Sequence, residues 1–125
     1  MPTADVPRVF VVDDQVDMAE VIAESLCHRG YEGNALSEGR EALRRLAAER
    51  VDALITDLGM PEVNGLALLR ASLKLDPSRP VIVMTAYSSL ETAAEATGDG
   101  AYHYLCKPFR LDILCRLLEN ALNTR

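Results

Sequence analysis

Short apolar runs alternate with segments of helical periodicity along most of this chain. Four runs consist mainly of apolar residues and a fifth, Tyr31–Leu36, is weaker; after each run apolar residues recur every three or four positions, as on one face of a helix. The alternation therefore predicts five strands, each followed by a helix. The predicted strands are Arg8–Asp13, Tyr31–Leu36, Asp52–Asp57, Val81–Thr85 and Ala101–Cys106.

Glycine, serine and proline mark where the predicted helices begin and end. Gly30 ends the first helical stripe, and Gly98 and Gly100 end the fourth, because glycine readily takes the left-handed conformation that closes a helix. Ser37 is expected to cap the second helix. Pro77 ends the third, since the residue before a proline avoids helical geometry. The predicted helices run through Met18–Leu26, Ala42–Ala47, Leu66–Leu73, Ser89–Thr97 and Leu111–Leu122.

Five strand–helix units indicate an α/β fold with a parallel sheet, because right-handed crossovers place the helices on both faces of such a sheet. The first, third and fourth strands are the most apolar and are expected at its centre. We predict a doubly wound five-stranded parallel sheet in the flavodoxin-like order 2-1-3-4-5, a (βα)5 architecture. Ligands of these sheets bind beyond the carboxyl ends of the strands, which is where function should be sought.

The chain has 125 residues, 49% of them apolar, which suffices for a single hydrophobic core. We expect residues 1–7, which contain two prolines and no periodicity, to be a disordered lead, and residues 8–125 to form one domain. No apolar run is long enough to cross a bilayer, and no signal-peptide pattern opens the chain. These features predict a cytoplasmic protein without membrane contact. Whether an output domain follows residue 125 is left open.

The net charge is -6, and the 13 basic residues are scattered along the chain. Phosphate-backbone binding needs clustered Lys and Arg, so direct nucleic-acid binding by this domain is not expected. Cys27, Cys106 and Cys115 form no CxxC pair and have no histidine at metal-ligand spacing. They are interpreted as reduced, small apolar side chains, and a packing role is expected for Cys106. His28 and His103 are expected at the surface.

Carboxylates follow two strands that the predicted order makes neighbours. Asp13 and Asp14 close the first strand, and Asp57 closes the third. Carboxylates so close repel one another, so the site must keep one protonated or bind a cation, and the arrangement favours a hard divalent metal. Mg²⁺ is the natural choice, because it takes one or two carboxylates together with phosphate oxygens and leaves Asp57 free to act as a nucleophile. An Asp-Asp pair is also typical of a helix N-cap, and Asp14 can serve as one.

Two further strand ends supply a cation and a hydroxyl group. Lys107 follows the fifth strand, and Thr85 ends the fourth. An ammonium group and Mg²⁺ on either side of a phosphoryl group stabilise its equatorial oxygens during in-line transfer, and the Thr85 hydroxyl can hydrogen-bond one of them. The strand ends together predict a site for phosphoryl chemistry.

Four segments of the chain also carry a family resemblance. VVDD at 11–14, DLGMPEVNG at 57–65, VIVMTAYS at 81–88 and GAYHYLCKPF at 100–109 resemble the signature blocks of bacterial response-regulator receiver domains from two-component systems. The resemblance covers nearly the whole chain. Within the family, the sequence is most similar to the receivers that precede sigma-54-dependent, NtrC-type transcriptional activators.

The resemblance implies a role for each residue at the strand ends. Asp57 is the implied phosphoacceptor, and Lys107 grips a phosphoryl oxygen. The implied ligands of Mg²⁺ are the carboxylates of Asp13, Asp14 and Asp57 and the backbone carbonyl of Gly59. The resemblance also implies a cis peptide bond after Lys107.

The resemblance further implies a conformational switch. Thr85 is drawn toward the phosphoryl group, and the Tyr104 ring swings inward behind it. The face formed by the fourth helix, fifth strand and fifth helix then changes shape to control an output domain or a partner, with transcription regulation as the implied process. The implied donor is a sensor histidine kinase or a phosphotransfer protein, and a homodimer through the same face is left open. The domain is expected to be a phosphoacceptor and not an enzyme, although it assists its own phosphorylation and dephosphorylation.

Gly59 departs from the family pattern, because many members carry a larger side chain there. Without a side chain at position 59, the acyl phosphate is more open to water. Tyr87, two residues after Thr85, is bulky enough to shield the acyl phosphate instead. We hypothesise that Tyr87→Ala speeds dephosphorylation, and an unchanged decay rate of the phosphoprotein would rule this out.

Two other functions remain as alternatives. A phosphorylation-independent binding module would share the fold, and a flavin carrier would want a Ser/Thr/Gly-rich phosphate loop after the first strand, where this chain has the acidic segment Asp14–Asp17. A Mg²⁺-dependent aspartyl-phosphate phosphatase would share the chemistry. Its nucleophile would typically open a DxDx[TV] run after the first strand, and the run here is DDQVD.

Overall fold

The structure is a computed structural model that describes residues 6–60, 62–86 and 90–124. Strands and helices alternate along the chain. The strands are β1 (Arg8–Val12), β2 (Glu32–Leu36), β3 (Ala53–Asp57), β4 (Val81–Thr85) and β5 (His103–Cys106). The helices are α1 (Val16–His28), α2 (Gly39–Ala48), α3 (Gly65–Leu75), α4 (Leu90–Gly98) and α5 (Leu111–Thr124). Of the expected disordered lead, residues 1–5 lie outside the described part.

The strands form one parallel sheet in the order β2-β1-β3-β4-β5, which confirms the predicted topology. Every residue of β3 and β4 is buried, and β1 is buried from its second residue onward. These are the three runs that the sequence marks as most apolar. Strands β2 and β5 form the edges and are only partly buried.

Alternate residues of the central strands enter two separate cores, one on each face of the sheet. Val9 and Val11 pack into the core that α1 and α5 cover, whereas Phe10 and Val12 pack into the core beneath α2, α3 and α4. This alternation follows from the two-residue repeat of a strand. Helices therefore cover both faces of the sheet. Polar groups that follow the strands are accessible where the carboxyl ends of the strands meet, which we call the carboxyl edge. None of the helices in the described ranges is long and apolar enough to span a bilayer.

Helix ends agree with the sequence at the glycines but not at the predicted caps. Gly30 follows α1 with φ +94°, and Gly100 follows α4 with φ +102°, both in the region that favours glycine. The expected cap at Ser37 is wrong. The N-cap of α2 is Glu38, one residue later, and its side chain makes no capping hydrogen bond. The predicted start of the fourth helix, Ser89, lies outside the described residues.

The loop between β3 and α3 turns sharply behind Asp57. Asn64 caps α3, with its side-chain oxygen accepting a hydrogen bond from the backbone N–H of Ala67. A side chain could not replace the hydrogen at Gly65, because a Cβ atom there would lie 2.2 Å from the carbonyl oxygen of Asp57. The helix therefore begins in direct contact with the backbone of the proposed phosphoacceptor.

Candidate functional site

All the residues predicted to carry the chemistry lie at the carboxyl edge of the sheet. Val12 of β1 is in register with Thr56 of β3, so Asp13 and Asp57 extend side by side from neighbouring strands. Backbone hydrogen bonds continue past the strand ends, from Leu58 N–H to the Met84 carbonyl and from Lys107 N–H to the Thr85 carbonyl. The sheet itself thus holds the candidate residues in place.

Three carboxylates converge at this edge. Asp13, Asp14 and Asp57 each offer an oxygen, and these oxygens lie within 4.8 Å of one another. Asp13 is fully buried and Asp57 is 7% exposed, whereas Asp14 faces solvent. The cluster therefore has two inner carboxylates and one at its mouth.

The Asp13 carboxylate is fixed through both of its oxygens. Oδ1 accepts a hydrogen bond of 2.9 Å from the backbone N–H of Gln15, and Oδ2 accepts one of 2.7 Å from Nζ of Lys107. The alternative role of Asp14 as a helix cap is wrong, because Gln15 is the N-cap of α1 and has no side-chain capping bond. Asp13, which points inward, instead binds the N–H group of that turn.

Lys107 is the cation of the site. Its Nζ atom lies 2.7 Å from Oδ2 of Asp13 and 3.8 Å from Oδ2 of Asp57, and its side chain is only 11% exposed. The peptide bond between Lys107 and Pro108 is cis, as the family resemblance implied. One ammonium group thus faces two buried carboxylates, so the inner part of the site retains a net negative charge.

The electrostatics of Asp57 reflect this crowding. Burial raises the pKa of its carboxyl group above the usual range, and the charges of Asp13 and Asp14 act in the same direction. The ammonium group of Lys107 and a hydrogen bond from the backbone N–H of Gly59 oppose the rise in pKa. A bound cation would therefore favour the ionised form of Asp57, which is the form a nucleophile requires.

A cleft of about 240 Å³ opens over these groups. It is lined by Asp14, Gln15, Asp57, Gly59, Ala86 and Lys107. The potential metal ligands here are hard carboxylate oxygens, and the charge of Lys107 balances only one of the three carboxylates. Such ligands suit a small divalent cation such as Mg²⁺. Gly59 borders the cleft as expected, whereas metal binding by its carbonyl stays a prediction.

The two predicted switch residues occupy neighbouring strands. Thr85 ends β4 and is 2% exposed, and Tyr104 is half-buried in the middle of β5. The hydroxyl of Tyr104 lies 3.0 Å from Oγ1 of Thr92 on α4. The structure therefore places Thr85 at the strand end next to the cleft, although it is not among the residues that line the cleft, and places the hydroxyl of Tyr104 against α4. Tyr87, the expected shield, lies outside the described residues.

Some features of the site were missed or misjudged from the sequence. Gln15 and Ala86 line the cleft, and both could have been found from the rule that residues just after strand ends form the site. Cys106 was expected to pack inside, but its side chain is exposed on the edge strand β5. His28 and His103 are exposed as predicted. None of these last three residues belongs to the cleft.

Comparison with known proteins agrees with this arrangement. Residues 9–119 match the response regulator receiver domain family. The chain is 39% identical to the transcriptional regulatory protein ZraR of Escherichia coli over 96% of its own length and 27% of that protein. It is also 39% identical to the DNA-binding transcriptional regulator NtrC of Escherichia coli, over 92% of its own length and 24% of that protein. The chain thus spans about a quarter of the length of these curated relatives.

Solved structures show the same fold. A CheY-like receiver domain protein from Methanospirillum hungatei superposes with a TM-score of 0.91 at 27% identity, with 95% of each chain covered. A response regulator from Burkholderia pseudomallei, solved with a phosphorylated aspartic acid, a calcium ion and citrate, has a TM-score of 0.83 at 34% identity. That match covers 94% of this chain and 69% of the other. The chain belongs to the response regulator receiver domain family of two-component signalling proteins, and its relatives include NtrC-type transcriptional activators.

Proposed function

We propose that Asp57 accepts a phosphoryl group with the help of Mg²⁺ held at the carboxylate cluster, and that the phosphorylated domain acts as a switch. The observation that carries this proposal is the meeting of three carboxylates within 4.8 Å, with the ammonium group of Lys107 lying 3.8 Å from Asp57. A purely structural ion pair would need one carboxylate and one cation. The surplus of negative charge is better explained by a site that recruits a metal ion and then a phosphoryl group.

Phosphoryl transfer to Asp57 is a displacement at phosphorus that forms one bond and breaks another. A carboxylate oxygen of Asp57 forms a bond to phosphorus while the bond from phosphorus to the donor's imidazole nitrogen breaks. The electron pair of the broken bond stays on that nitrogen, and the product is an acyl phosphate on Asp57. The donor would be a phosphohistidine on a sensor histidine kinase or on a phosphotransfer protein.

Each neighbour of Asp57 has a distinct role in this proposal. Asp13 and Asp14 would hold Mg²⁺ together with one oxygen of Asp57 and the carbonyl of Gly59, and the ion would supply positive charge to the phosphoryl oxygens. Lys107 is anchored by Asp13 within reach of the position that a phosphoryl group on Asp57 would take. Its ammonium group would pair with one phosphoryl oxygen, and the Thr85 hydroxyl with another.

The relatives support both parts of this proposal, namely the Mg²⁺-assisted phosphorylation of Asp57 and the regulatory role of the domain. The Burkholderia pseudomallei protein contains a phosphorylated aspartic acid and a divalent cation, and the likeness covers nearly the whole of this chain. ZraR and NtrC are transcriptional regulators that are much longer than this chain. We infer that the domain controls transcription through an output domain or partner, to which DNA binding would belong. Its α4-β5-α5 face would change shape on phosphorylation and could pair with a second copy.

A phosphorylation-independent binding module is the main competing function. Such a module would keep the fold but would have no need for a buried Asp57 with a raised pKa. A Mg²⁺-dependent phosphatase is distinguished by its substrate, since it would release phosphate continuously from a small phosphate ester, whereas a receiver would leave such an ester intact and release phosphate only through the decay of its own acyl phosphate. Among the described residues the cleft measures about 240 Å³, less than the roughly 300–1,000 Å³ of pockets that hold organic ligands, and this favours the receiver.

The proposal is tested by incubating the protein and its Asp57→Asn variant with acetyl phosphate, with either Mg²⁺ or a chelator, and recording the intact mass. We expect one phosphoryl adduct that requires both Mg²⁺ and Asp57. A variant control, Asp76→Asn, removes a carboxylate outside the cluster and should leave adduct formation intact. If no adduct forms even with a cognate kinase, the domain is a receiver-like fold that works by binding alone.

A further inference from the structure

Helix α4 is held on its apolar side more weakly than its neighbours. Among its described side chains, residues 91–98, only Ala96 is buried. Helices α1, α3 and α5 each bury four residues. Because the burial of an apolar face supplies most of the stability of a protein helix, α4 should be the least firmly seated of these helices. Its position therefore depends more than theirs on polar contacts.

Two sets of polar contacts reach α4 from its two flanks. On the β5 side, the hydroxyls of Thr92 and Tyr104 lie 3.0 Å apart and are partly buried. On the α3 side, Arg70 spans two carboxylates at the carboxyl end of α4. Its Nε atom lies 2.7 Å from Oδ2 of Asp99, and its Nη2 atom lies 3.1 Å from Oε2 of Glu95. Together these contacts connect α4 to the strand and the helix beside it.

We propose that these contacts form a latch on α4, and that Thr92 is the positioning residue through which α4 restrains the ring of Tyr104. The latch consists of the Thr92–Tyr104 hydrogen bond and the Arg70 pairs with Glu95 and Asp99. The inference rests on the proposed function, because Tyr104 is the residue expected to swing inward after phosphorylation. A ring bonded to Thr92 must give up that bond before it can move. The latch therefore sets how readily the domain reaches its phosphorylated arrangement.

The expected effect is modest and measurable. One hydrogen bond between partly buried neutral groups changes an equilibrium by about three- to tenfold. If the phosphorylated arrangement is reached only when the bond is broken, removing the bond raises the population of that arrangement by the same factor. A ligand that binds this arrangement then binds more tightly by that factor as well, because its apparent affinity scales with the competent fraction.

Thr92→Val is the sharpest variant, because it replaces the hydroxyl by a methyl group and keeps the β-branched shape. Thr97→Val makes the same chemical change at an exposed position of α4 and is the matched control. Thr92→Ser keeps a hydroxyl group at this position and should behave like the parent protein. The first readout is amide hydrogen exchange of α4, and the second is the affinity of Mg²⁺-loaded protein for beryllofluoride, an acyl-phosphate mimic.

We expect Thr92→Val to speed exchange in α4 and to tighten beryllofluoride binding, each by about three- to tenfold, while Thr97→Val and Thr92→Ser stay near the parent protein. Tyr104→Phe removes the same bond from its other side. The double variant Thr92→Val/Tyr104→Phe should therefore show no more than the larger of the two single effects on exchange. Additive effects, or exchange in Thr92→Val equal to that in Thr97→Val, would overturn the latch.

The ionic part of the latch is tested by Arg70→Gln, with Lys74→Gln on the same helix as control. Arg70→Gln should speed α4 exchange at low salt, and the difference should shrink at high salt because exposed ion pairs are screened. An Arg70→Gln protein whose exchange matches the Lys74→Gln control at low salt would contradict this part. The exchange measurements need no phosphoryl mimic. Failure of the parent protein to bind beryllofluoride would therefore count against the proposed function, while α4 exchange would still decide whether the latch exists.

Discussion

Lys107 and Asp57 are far apart in the chain, yet Nζ of Lys107 lies 3.8 Å from Oδ2 of Asp57. The lysine is held there by its shorter contact of 2.7 Å with Asp13. Asp57 ends β3 and Lys107 follows β5, and β4 lies between these two strands, so the sheet order sets the separation of the two residues. The site therefore depends on the topology, since its groups come from the ends of four strands, β1, β3, β4 and β5.

Replacing Lys107 should separate phosphoryl transfer from metal binding. We expect Lys107→Met to slow adduct formation from acetyl phosphate about a hundredfold at saturating Mg²⁺, because one positive charge on the developing phosphoryl oxygens is lost. The same change should tighten Mg²⁺ binding, since a competing cation has left the cluster. Intact mass recorded at successive reaction times gives the transfer rate, and calorimetric titration gives the affinity for Mg²⁺. Lys74→Met is the control for both measurements. An unchanged transfer rate would show that Lys107 only stabilises the fold.

The two neighbouring aspartates should respond differently to the loss of charge. Asp14 faces solvent, so Asp14→Asn should weaken Mg²⁺ binding about tenfold and leave the free energy of unfolding in chelator nearly unchanged. Asp13 is buried against Lys107, so Asp13→Asn should also lower the free energy of unfolding by about 2 kcal/mol. Urea unfolding in chelator and Mg²⁺ titration check both. Equal destabilisation by the two variants would contradict the distinction.

A side chain at Gly59 should lengthen the life of the acyl phosphate. A Cβ atom there would meet no heavy atom within 4 Å, so Gly59→Asn should fold normally. Its amide would cover part of the approach of water to Asp57, and we expect the phosphoprotein to decay several times more slowly. Gly59→Ala, whose methyl group is too short to cover the site, is the control. A decay rate for Gly59→Asn equal to that of Gly59→Ala would refute shielding at this position.

The ion-pair cluster at the start of β1 should make stability depend on acid pH. Hydrogen bonds from Arg45, and then from Arg8, lower the pKa of Glu49 from 4.5 to about 2. Because the folded-state pKa is depressed, the stabilisation by Glu49 is present above the unfolded pKa near 4.5 and is lost as the pH falls toward 2. Glu49→Gln should therefore lower the melting temperature at neutral pH, with the difference from the parent closing near pH 2.

Glu41 provides the matched control for that pH series. It is paired with Arg44 only at 3.8 Å, so Glu41→Gln should show little difference from the parent protein at any pH. A Glu49→Gln melting curve that stays parallel to the parent from neutral to acid pH would contradict the depressed pKa. Since Arg8 opens the strand that leads to Asp13, this cluster supports the site from the far end of β1.

The sequence predicts the sheet and the carboxylate cluster because one rule connects them. Alternating strand and helix patterns imply parallel strands, and parallel strands bring their carboxyl ends to one edge. Asp13, Asp57, Thr85 and Lys107 could therefore be placed together without any coordinates. The central positions of β1, β3 and β4 followed in the same way, because only strands buried on both faces read as continuous apolar runs.

Some features could not be predicted from the sequence. Each of them depends on a one-residue shift of a helix end, or on which face of a strand or helix is covered by its neighbours. Ser37 lies one position before the true N-cap of α2, and a shift of one residue is below the precision of capping signals. Cys106 belongs to an edge strand whose short apolar run does not reveal which face is covered. The Thr92–Tyr104 contact depends on how α4 is rotated against β5, which no periodicity in the sequence specifies.

Phosphorylation of Asp57 itself is tested most directly by locating the phosphoryl group in the chain. The protein would be phosphorylated with acetyl phosphate and Mg²⁺, reduced with borohydride to convert the acyl phosphate to homoserine, digested and sequenced by mass spectrometry. We expect homoserine at position 57 and aspartate retained at positions 13 and 14. Homoserine at either of those positions, or at a carboxylate outside the cleft, would contradict it.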